Sequence, residues 1–301
     1  MKPVKPYISP LDIAIIFLAV IILTLSALAY LYNENITQYN GNNYFPAGTF
    51  DMPIIIFFML LGVRIQFSKH SYICLVITEF LFCYLIIFVI AVATNCVQLT
   101  PFTVIDPLLV KLEYLLSVDT AALLKWLSQY PDFRKLLVQT YRSLNTQLMY
   151  LPVFLIFILK KDTLREYYFL LLFGVLIGFS LYYFFPSIAP ASFIPSPYYV
   201  QPQYDTGLKF YQIRYHMMPT TLDGGLIAMP SFHVMWAWTC LYSVRHFPLI
   251  WWPLLINNCL LAMATVLLGW HYLSDLFVSL LILLVAHGLL NRLRFQSANF
   301  L

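Results

Sequence analysis

Long apolar runs separated by short polar segments dominate the chain. A helix needs about 20 apolar residues to cross the hydrocarbon core of a bilayer, and eight segments come close to that length. They lie at about residues 11–32, 51–68, 71–95, 142–160, 166–185, 230–247, 249–269 and 273–291. The pattern predicts an all-α integral membrane protein with about eight transmembrane helices, and its hydrophobic signal is weakest at 51–68 and 142–160.

Two longer segments between these spans follow a different pattern. Residues 98–141 are too polar to cross a membrane, yet leucines recur there at helical spacing beside Lys111 and Glu113, which predicts a helix on the membrane surface. The leucines are Leu108, Leu109, Leu112, Leu115 and Leu116. Residues 186–219 are rich in Pro, Tyr and Ser, and for them we expect a compact irregular cap instead of another helix.

The composition indicates a lipid bilayer as the main solvent. Of the 301 residues, 61% are hydrophobic and 10% charged, so a water-soluble globule would lack the polar residues to cover its surface. The five cysteines show no CxxC spacing, which favours neither a zinc site nor a disulfide framework. The net charge of +4 is modest and the basic residues are scattered, so nucleic acid is not an expected partner. The expected partner is a lipid or lipid-linked substrate.

The distribution of Lys and Arg predicts the orientation in the membrane. With the N-terminus inside, ten of the seventeen basic residues fall in short cytoplasmic segments. The segment 186–229, the start of the sixth span and the turn between the seventh and eighth spans then meet on the outer face. We expect two N-terminal transmembrane helices in residues 1–70, followed by a membrane core in residues 71–301.

Two histidines and one aspartate carry the candidate chemistry. His271 and Asp275 are four residues apart, a spacing that places them on one face of a helix, where the carboxylate would fix the imidazole tautomer and raise its basicity. His233 would supply a proton to a departing oxygen. These groups are sufficient for phosphoryl transfer through a phosphohistidine, with no metal or cofactor. The alternative is that such histidines and i, i+4 pairs are interfacial or helix-stabilising contacts.

The residues before His233 suit a phosphate group. Ser231 is a candidate helix cap, and the backbone N–H groups beside it would face an anion. Gly224 and Gly225 permit the tight backbone path of an anion-binding loop. A phosphate could therefore bind here without an added lysine.

Four motifs occur in a fixed order along the chain. PFTVIDPLLVKLEYLLSVD (101–119) comes first, followed by FFPSIAP (184–190), MPSFHV (229–234) and ATVLLGWHYLSD (264–275). Together they resemble the type 2 phosphatidic acid phosphatase superfamily, and specifically its branch that contains inositol-phosphorylceramide synthases and related bacterial membrane proteins. The resemblance extends over roughly residues 100–290.

This resemblance implies a lipid-phosphatase-like core of six helices and a role for each site residue. His271 would be the nucleophile, Asp275 its orienting carboxylate and His233 the general acid. Ser231 and the adjoining amides would bind phosphate oxygens. It also implies a protein of the bacterial inner membrane whose active site lies on the outer, periplasmic face.

The chain departs from the ordinary phosphatases of that superfamily in two places. No Arg-Pro pair occurs, and Thr265 stands six residues before His271, where those phosphatases carry an arginine. The ceramide-synthase type shares both departures, which favours that branch. They leave the phosphate short of cations, and Arg214 is the candidate replacement because arginine binds phosphate with two parallel hydrogen bonds. An interfacial arginine that meets lipid head groups is the alternative for Arg214. Further candidates for the same wall are Tyr141, Arg142 and Gln147.

We therefore expect a metal-independent membrane enzyme that acts on lipid phosphates at the outer leaflet. It would either hydrolyse a phosphate ester or transfer a phospho-head group to a lipid alcohol, and the motifs do not choose between these acceptors. The alternative is a catalytically silent lipid-binding or lipid-moving protein that keeps the fold. The presence of all three residues His233, His271 and Asp275 counts against it. Glu79, in the third span, is expected to be a protonated or hydrogen-bonded structural carboxylate, and a functional role is the alternative.

Overall fold

The computed structural model describes residues 9–32, 35, 48–98, 100–221 and 227–299. These residues form twelve helices and, within the described ranges, no strand. The helices are α1 (Pro10–Tyr32), α2 (Asp51–Gln66), α3 (Tyr72–Val97), α4 (Asp106–Leu115), α5 (Thr120–Ser128), α6 (Pro131–Phe157), α7 (Lys161–Phe184), α8 (Pro190–Phe193), α9 (Gln201–Arg214), α10 (Phe232–Ser243), α11 (Pro248–Leu267) and α12 (Leu273–Asn299).

Five of these helices are long and apolar enough to cross a bilayer. They are α1, α3, α7, α11 and the part Leu273–Phe295 of α12. The chain is therefore an integral membrane protein with an all-helical fold, as predicted.

The other three predicted spans are helical but do not meet the same requirement. α2 has 16 residues and α10 has 12, which is short of the length needed to cross the hydrocarbon core. α6 has 27 residues, but polar side chains such as Arg142, Asn145 and Gln147 lower the hydropathy of the half that precedes Pro152. The prediction of eight transmembrane helices is therefore not confirmed.

The helix α7 lies at the centre of the bundle. It contacts α1, α3, α6, α10 and α12, and most of its side chains from Leu164 to Val175 are buried. α1 adds Leu11, Ile15, Leu18 and Ile22 to the same core. Because α7 is surrounded by other helices, apolar side chains occur on all of its faces.

Buried ion pairs join the helices at one end of the bundle. Glu79 of α3 accepts two hydrogen bonds from Arg165 of α7, at 2.6 and 3.1 Å, and Arg165 also bonds Asp12 of α1 at 2.8 Å. Glu166 of α7 bonds Arg245, which follows the end of α10, at 2.6 Å and Arg294 of α12 at 3.1 Å. Glu79 therefore has the structural partner expected for a carboxylate within a span.

The polar segment before α6 forms two short helices instead of one. The chain turns at Ser117, whose φ is +59°, so α4 ends at Leu115 and α5 begins at Thr120. Asp119 caps α5 by accepting the N–H of Ala122 at 3.0 Å. α6 follows directly, beginning at Pro131.

The segment 186–219 contains a helix, and the prediction of an irregular cap there was wrong. α9 runs for 14 residues, from Gln201 to Arg214. Its start is stabilised by Pro202 in the first turn and by the side chain of Gln203, which accepts the N–H of Val200 at 3.0 Å. Gln203 also donates to the carbonyl of Leu268 at 2.9 Å, so α9 is anchored on the end of α11.

Candidate functional site

The turn between α11 and α12 carries His271. Gly269, with φ of +77°, ends α11 in the left-handed conformation, and a Cβ at this position would lie 2.6 Å from the ring of Tyr199. The N–H groups of Trp270 and His271 then both donate to the carbonyl of Thr265 at 3.0 Å. His271 thus lies before the first residue of α12, not on a helix face as its spacing from Asp275 indicated.

Asp275 occupies the first turn of α12 and is fully buried. Its Oδ2 accepts the N–H of Tyr272 at 2.9 Å, the bond that a capping carboxylate makes at a helix start. The same Oδ2 lies 3.4 Å from Nδ1 of His271. The proximity predicted from the sequence is therefore present, and it arises from the geometry of the helix start.

A backbone carbonyl is the nearer partner of the His271 ring. Nδ1 of His271 lies 2.7 Å from the carbonyl oxygen of Ala228, 43 residues earlier in the chain. A carbonyl oxygen only accepts hydrogen bonds, so Nδ1 carries the hydrogen and donates it. In the neutral ring, Nε2 then keeps its lone pair, which is the form that a nucleophile or base requires.

His233 lies in the first turn of α10, opposite His271. The two ring centroids are 5.9 Å apart with an interplanar angle of 61°. Two side chains within about 8 Å of each other can both reach one phosphate group, and the separation of these rings is within that limit.

The ring of Tyr141 packs against His233. Tyr141 of α6 stacks on the imidazole with centroids 4.0 Å apart and an interplanar angle of 18°. Trp270, the residue before His271, stacks in turn on Tyr141 with ring centroids 5.3 Å apart. Tyr141 therefore lies at the candidate site, where its ring contacts His233.

Ser231 precedes α10 but its side chain does not cap the helix, contrary to the expectation. The residue is fully buried, and its Oγ has no hydrogen-bond partner among the described residues. Buried hydroxyls are usually bonded, so this one is available to a ligand. Gly224 and Gly225, the expected anion-binding glycines, lie outside the described residues.

Arg214 and Gln147 contact other parts of the protein. The Arg214 guanidinium donates to the carbonyl of Phe102 at 2.5 Å. Gln147 exchanges two hydrogen bonds with Asn258 of α11, at 2.7 and 3.1 Å, so its amide joins two helices. Neither side chain contacts His233 or His271 in the bonds that the structure gives.

Two acidic residues of α4 contact the turn that carries His271, and the sequence analysis did not identify them as site residues. Asp106 accepts the hydroxyl of Tyr272 at 3.0 Å, and Glu113 accepts the N–H of Leu273 at 2.6 Å. Burial raises the pKa of Asp106 to about 6, against the opposing effect of its hydrogen bonds, and burial also raises the pKa of Glu113. The sequence feature that could have identified them is their spacing of seven residues, or two helical turns, which places both carboxylates on one side of a leucine-rich helix.

The described residues contain no group of three or more His, Cys, Asp or Glu side chains placed to hold a metal ion. The groups that meet at the described site are two imidazoles, one carboxylate and a buried hydroxyl. One imidazole presents an unprotonated nitrogen and the other faces it. Such a pair can attack a phosphorus atom and protonate the oxygen that leaves it.

Comparisons with known proteins identify the family to which the chain belongs. No curated protein and no solved structure matches the chain. A family model described as PAP2 superfamily matches residues 107–289, which is more than half of the chain and includes both histidines and α4 from its second residue, Pro107, onward. This superfamily is the one that the ordered motifs resemble, although the match does not distinguish its ceramide-synthase branch. The chain belongs to the PAP2 superfamily.

Proposed function

We propose that this protein is a membrane enzyme that cleaves lipid phosphates through a phosphohistidine on His271. Membership of the superfamily supports a phosphatase-type activity on phosphate substrates that are lipid-linked. The observation that carries the finer proposal is the pair of imidazoles 5.9 Å apart, one of which has its Nδ1 held on the carbonyl of Ala228.

In the first step Nε2 of His271 attacks the phosphorus atom. The bond between phosphorus and the oxygen of the lipid alcohol breaks, and His233 donates its proton to that oxygen. His271 gains positive charge as the new N–P bond forms, and Asp275, 3.4 Å from Nδ1, stabilises that charge. Groups held in this arrangement lower the activation barrier because they are already oriented when the phosphate binds.

In the second step an acceptor attacks the phosphohistidine. His233, now neutral, takes the proton of the acceptor while the N–P bond breaks and His271 returns to its starting state. Water as the acceptor gives inorganic phosphate, and a lipid alcohol gives a new phospholipid. The resemblance to the ceramide-synthase branch is the reason to include transfer, and hydrolysis is the commoner chemistry of the superfamily.

The phosphate group would bind at the start of α10. The buried Oγ of Ser231 is one donor, and the N–H groups of the first turn lack partners within the helix. No arginine or lysine contacts either imidazole among the described bonds, and the predicted role of Arg214 finds no support in its contact with Phe102. We infer that backbone and hydroxyl donors bind the phosphate, with the positive end of the helix dipole.

We place this site on the outer face of the membrane. The buried ion pairs of Arg165 and Arg245 lie at the end of α7 and α10 opposite to His233. Short segments with excess Lys and Arg, including Lys160 and Lys161, adjoin that end. By the positive-inside rule it is the cytoplasmic end.

The proposal is tested by turnover of lipid substrates with purified protein in detergent or in liposomes. The panel contains lipid monophosphates, lipid diphosphates and glycerophospholipids, with and without ceramide or diacylglycerol as an acceptor. We expect release of phosphate, or transfer to the alcohol, from at least one substrate, and we expect His271→Ala to reduce it by at least about a hundredfold. Equal turnover by the two proteins would exclude His271 as the nucleophile.

The role of His233 has a separate control. An aryl phosphate with a good leaving group needs little protonation, so His233→Ala should retain most of its activity on that substrate and lose it on alkyl phosphates. Acid-labile, alkali-stable phosphate on the protein would identify the intermediate. No turnover by the wild type across the whole panel would instead favour the catalytically silent lipid-binding protein.

A further inference from the structure

The helix α4 turns both of its carboxylates inward, beside the buried Leu109, and turns most of its other apolar side chains outward. Asp106 and Glu113 are buried, with exposed fractions of 0% and 2%, whereas Leu108, Tyr114 and Leu115 are 55%, 82% and 69% exposed. A helix on the surface of a soluble protein has the reverse arrangement. The outward leucines fit a lipid interface, and the inward carboxylates need partners within the protein because burying an unpaired charge is costly.

Both carboxylates find those partners in the turn between α11 and α12. Glu113 Oε1 accepts the N–H of Leu273, the first residue of α12, at 2.6 Å. Asp106 Oδ1 accepts the hydroxyl of Tyr272 at 3.0 Å. Tyr272 is itself fully buried, so the turn is held through its backbone on one side and through a side chain on the other.

Asp106 also connects this turn to a third segment. It accepts the hydroxyl of Ser187 at 3.1 Å and the N–H of Ile188 at 3.0 Å. These two residues belong to the FFPSIAP motif that follows α7. One carboxylate therefore joins the end of the central helix to the residue beside His271.

The residues that Asp106 and Glu113 contact, Tyr272 and Leu273, determine how His271 and Asp275 are oriented. Tyr272 directly follows His271, and its N–H is the group that Asp275 accepts at 2.9 Å. A shift of Tyr272 or Leu273 would move His271 away from Ala228 and Asp275 together. Neither Asp106 nor Glu113 has a hydrogen bond to an imidazole, so they act on the site only through this turn.

We propose that Asp106 and Glu113 are positioning residues that hold the turn Tyr272–Leu273, and with it His271 and Asp275, in the geometry for attack on phosphorus. The inference rests on the proposed function, in which His271 is the nucleophile. It predicts a loss in the rate of the chemical step and little loss in substrate binding, because a misplaced nucleophile raises the barrier while the phosphate donors stay in place.

The first test compares Glu113→Ala with Glu113→Gln. The alanine variant removes the acceptor of the Leu273 N–H, and we expect its kcat to fall at least about tenfold with KM changed less than about threefold. The glutamine variant keeps a carbonyl oxygen that accepts the same N–H, so it should recover much of kcat. The matched control is Asp132→Asn, which alters a carboxylate that is 98% exposed. A glutamine variant as impaired as the alanine variant would overturn the proposal for Glu113.

The second test is a double-variant cycle of Asp106→Asn and Tyr272→Phe. Both changes remove or weaken one and the same hydrogen bond, so the double variant should lose no more kcat than Asp106→Asn alone. Losses that multiply would mean that the two residues act independently and would overturn this part of the proposal.

A third measurement does not depend on activity. Amide hydrogen exchange in residues 270–274 should be faster in Glu113→Ala than in the wild type and unchanged in Asp132→Asn. Unchanged exchange in Glu113→Ala would overturn the inference even if the enzyme is active. An inactive wild type with faster exchange in the variant would contradict the proposed function and support the positioning role. Tyr272→Phe, which leaves the backbone bond of Glu113 intact, serves if the alanine variant does not fold.

Discussion

At the scale of single residues, the site depends on which nitrogen of His271 carries the hydrogen. The carbonyl of Ala228 and the carboxylate of Asp275 both face Nδ1, at 2.7 and 3.4 Å. The carbonyl alone is sufficient to select the tautomer with a free Nε2. The carboxylate adds negative charge, which would stabilise the positive charge that the ring gains in the proposed attack.

This division of roles predicts the effect of Asp275→Asn. We expect kcat to fall by about ten- to a hundredfold, which corresponds to about 1.4–2.8 kcal/mol in the activation free energy, whereas His271→Ala should reduce turnover by at least about a hundredfold. Steady-state kinetics of the two variants on the same lipid phosphate provide the measurement. A loss in Asp275→Asn as large as that in His271→Ala would mean that the carboxylate, and not the carbonyl, sets the tautomer.

Tyr141 offers a second prediction at this scale. Its ring stacks on His233 at 4.0 Å, and stacked aromatic pairs contribute about 0.5–1.5 kcal/mol. Tyr141→Phe keeps the stack and should retain kcat within about twofold, and Tyr141→Ala should lose about two- to tenfold. Equal losses in the two variants would show that the hydroxyl matters, as expected if Tyr141 binds phosphate.

At the scale of elements, the local sequence predicted one of the two segments outside the spans correctly and the other wrongly. The leucine pattern of residues 108–116 correctly predicted a helix, and its outward leucines agree with a surface location. The composition of residues 186–219 did not predict α9, because Pro202 and Gln203 act at its start as helix-initiating residues and not as turn formers. Proline favours the first turn of a helix as much as it favours an irregular segment.

The ion pairs of α7 lead to a prediction about stability. Glu166 is buried and joins α7 to Arg245, just after α10, and to Arg294 of α12. Glu166→Gln should destabilise the protein by about 1–3 kcal/mol, less than a fully buried pair, because both arginines are partly exposed. Thermal unfolding in detergent is the measurement, and the control is Asp162→Asn, an exposed carboxylate in the same turn. The prediction would be wrong if both variants unfolded at the wild-type temperature.

At the scale of the whole molecule, the proposed orientation in the membrane determines on which face the site lies. His216 lies after α9, near the end of the bundle that carries the site, and His70 lies before α3, at the end with the ion pairs. In a background without the five native cysteines, His216→Cys should react with a membrane-impermeant maleimide in intact cells. His70→Cys should react only after permeabilisation. The opposite pattern would place the site in the cytoplasm.

The separation of residues 1–70 from the rest of the chain stays a prediction. α1 packs against α3, α7 and α12 and contributes to the main core, while the family match begins only at residue 107. The five candidate spans are α1, α3, α7, α11 and α12. The roles of α2, α6 and α10 in crossing the membrane follow from the proposed topology.

The amino-acid sequence by itself determined the solvent of this protein, its helical class and the residue types of its chemistry. Runs of about 20 apolar residues leave few alternatives to membrane helices, since every backbone polar group must be bonded within the helix. The motifs around His233, His271 and Asp275 are local, so their order and spacing were readable without a structure.

Only the tertiary structure decided which groups meet at the site. Ala228 bonds a ring 43 residues later, Tyr272 bonds a carboxylate 166 residues earlier, and Leu273 bonds one 160 residues earlier. Such contacts depend on how the helices pack, and nothing local in the sequence records them. The same packing assigned Gln147 to Asn258 and Arg214 to Phe102, because a polar side chain bonds the partner that the fold brings nearest to it.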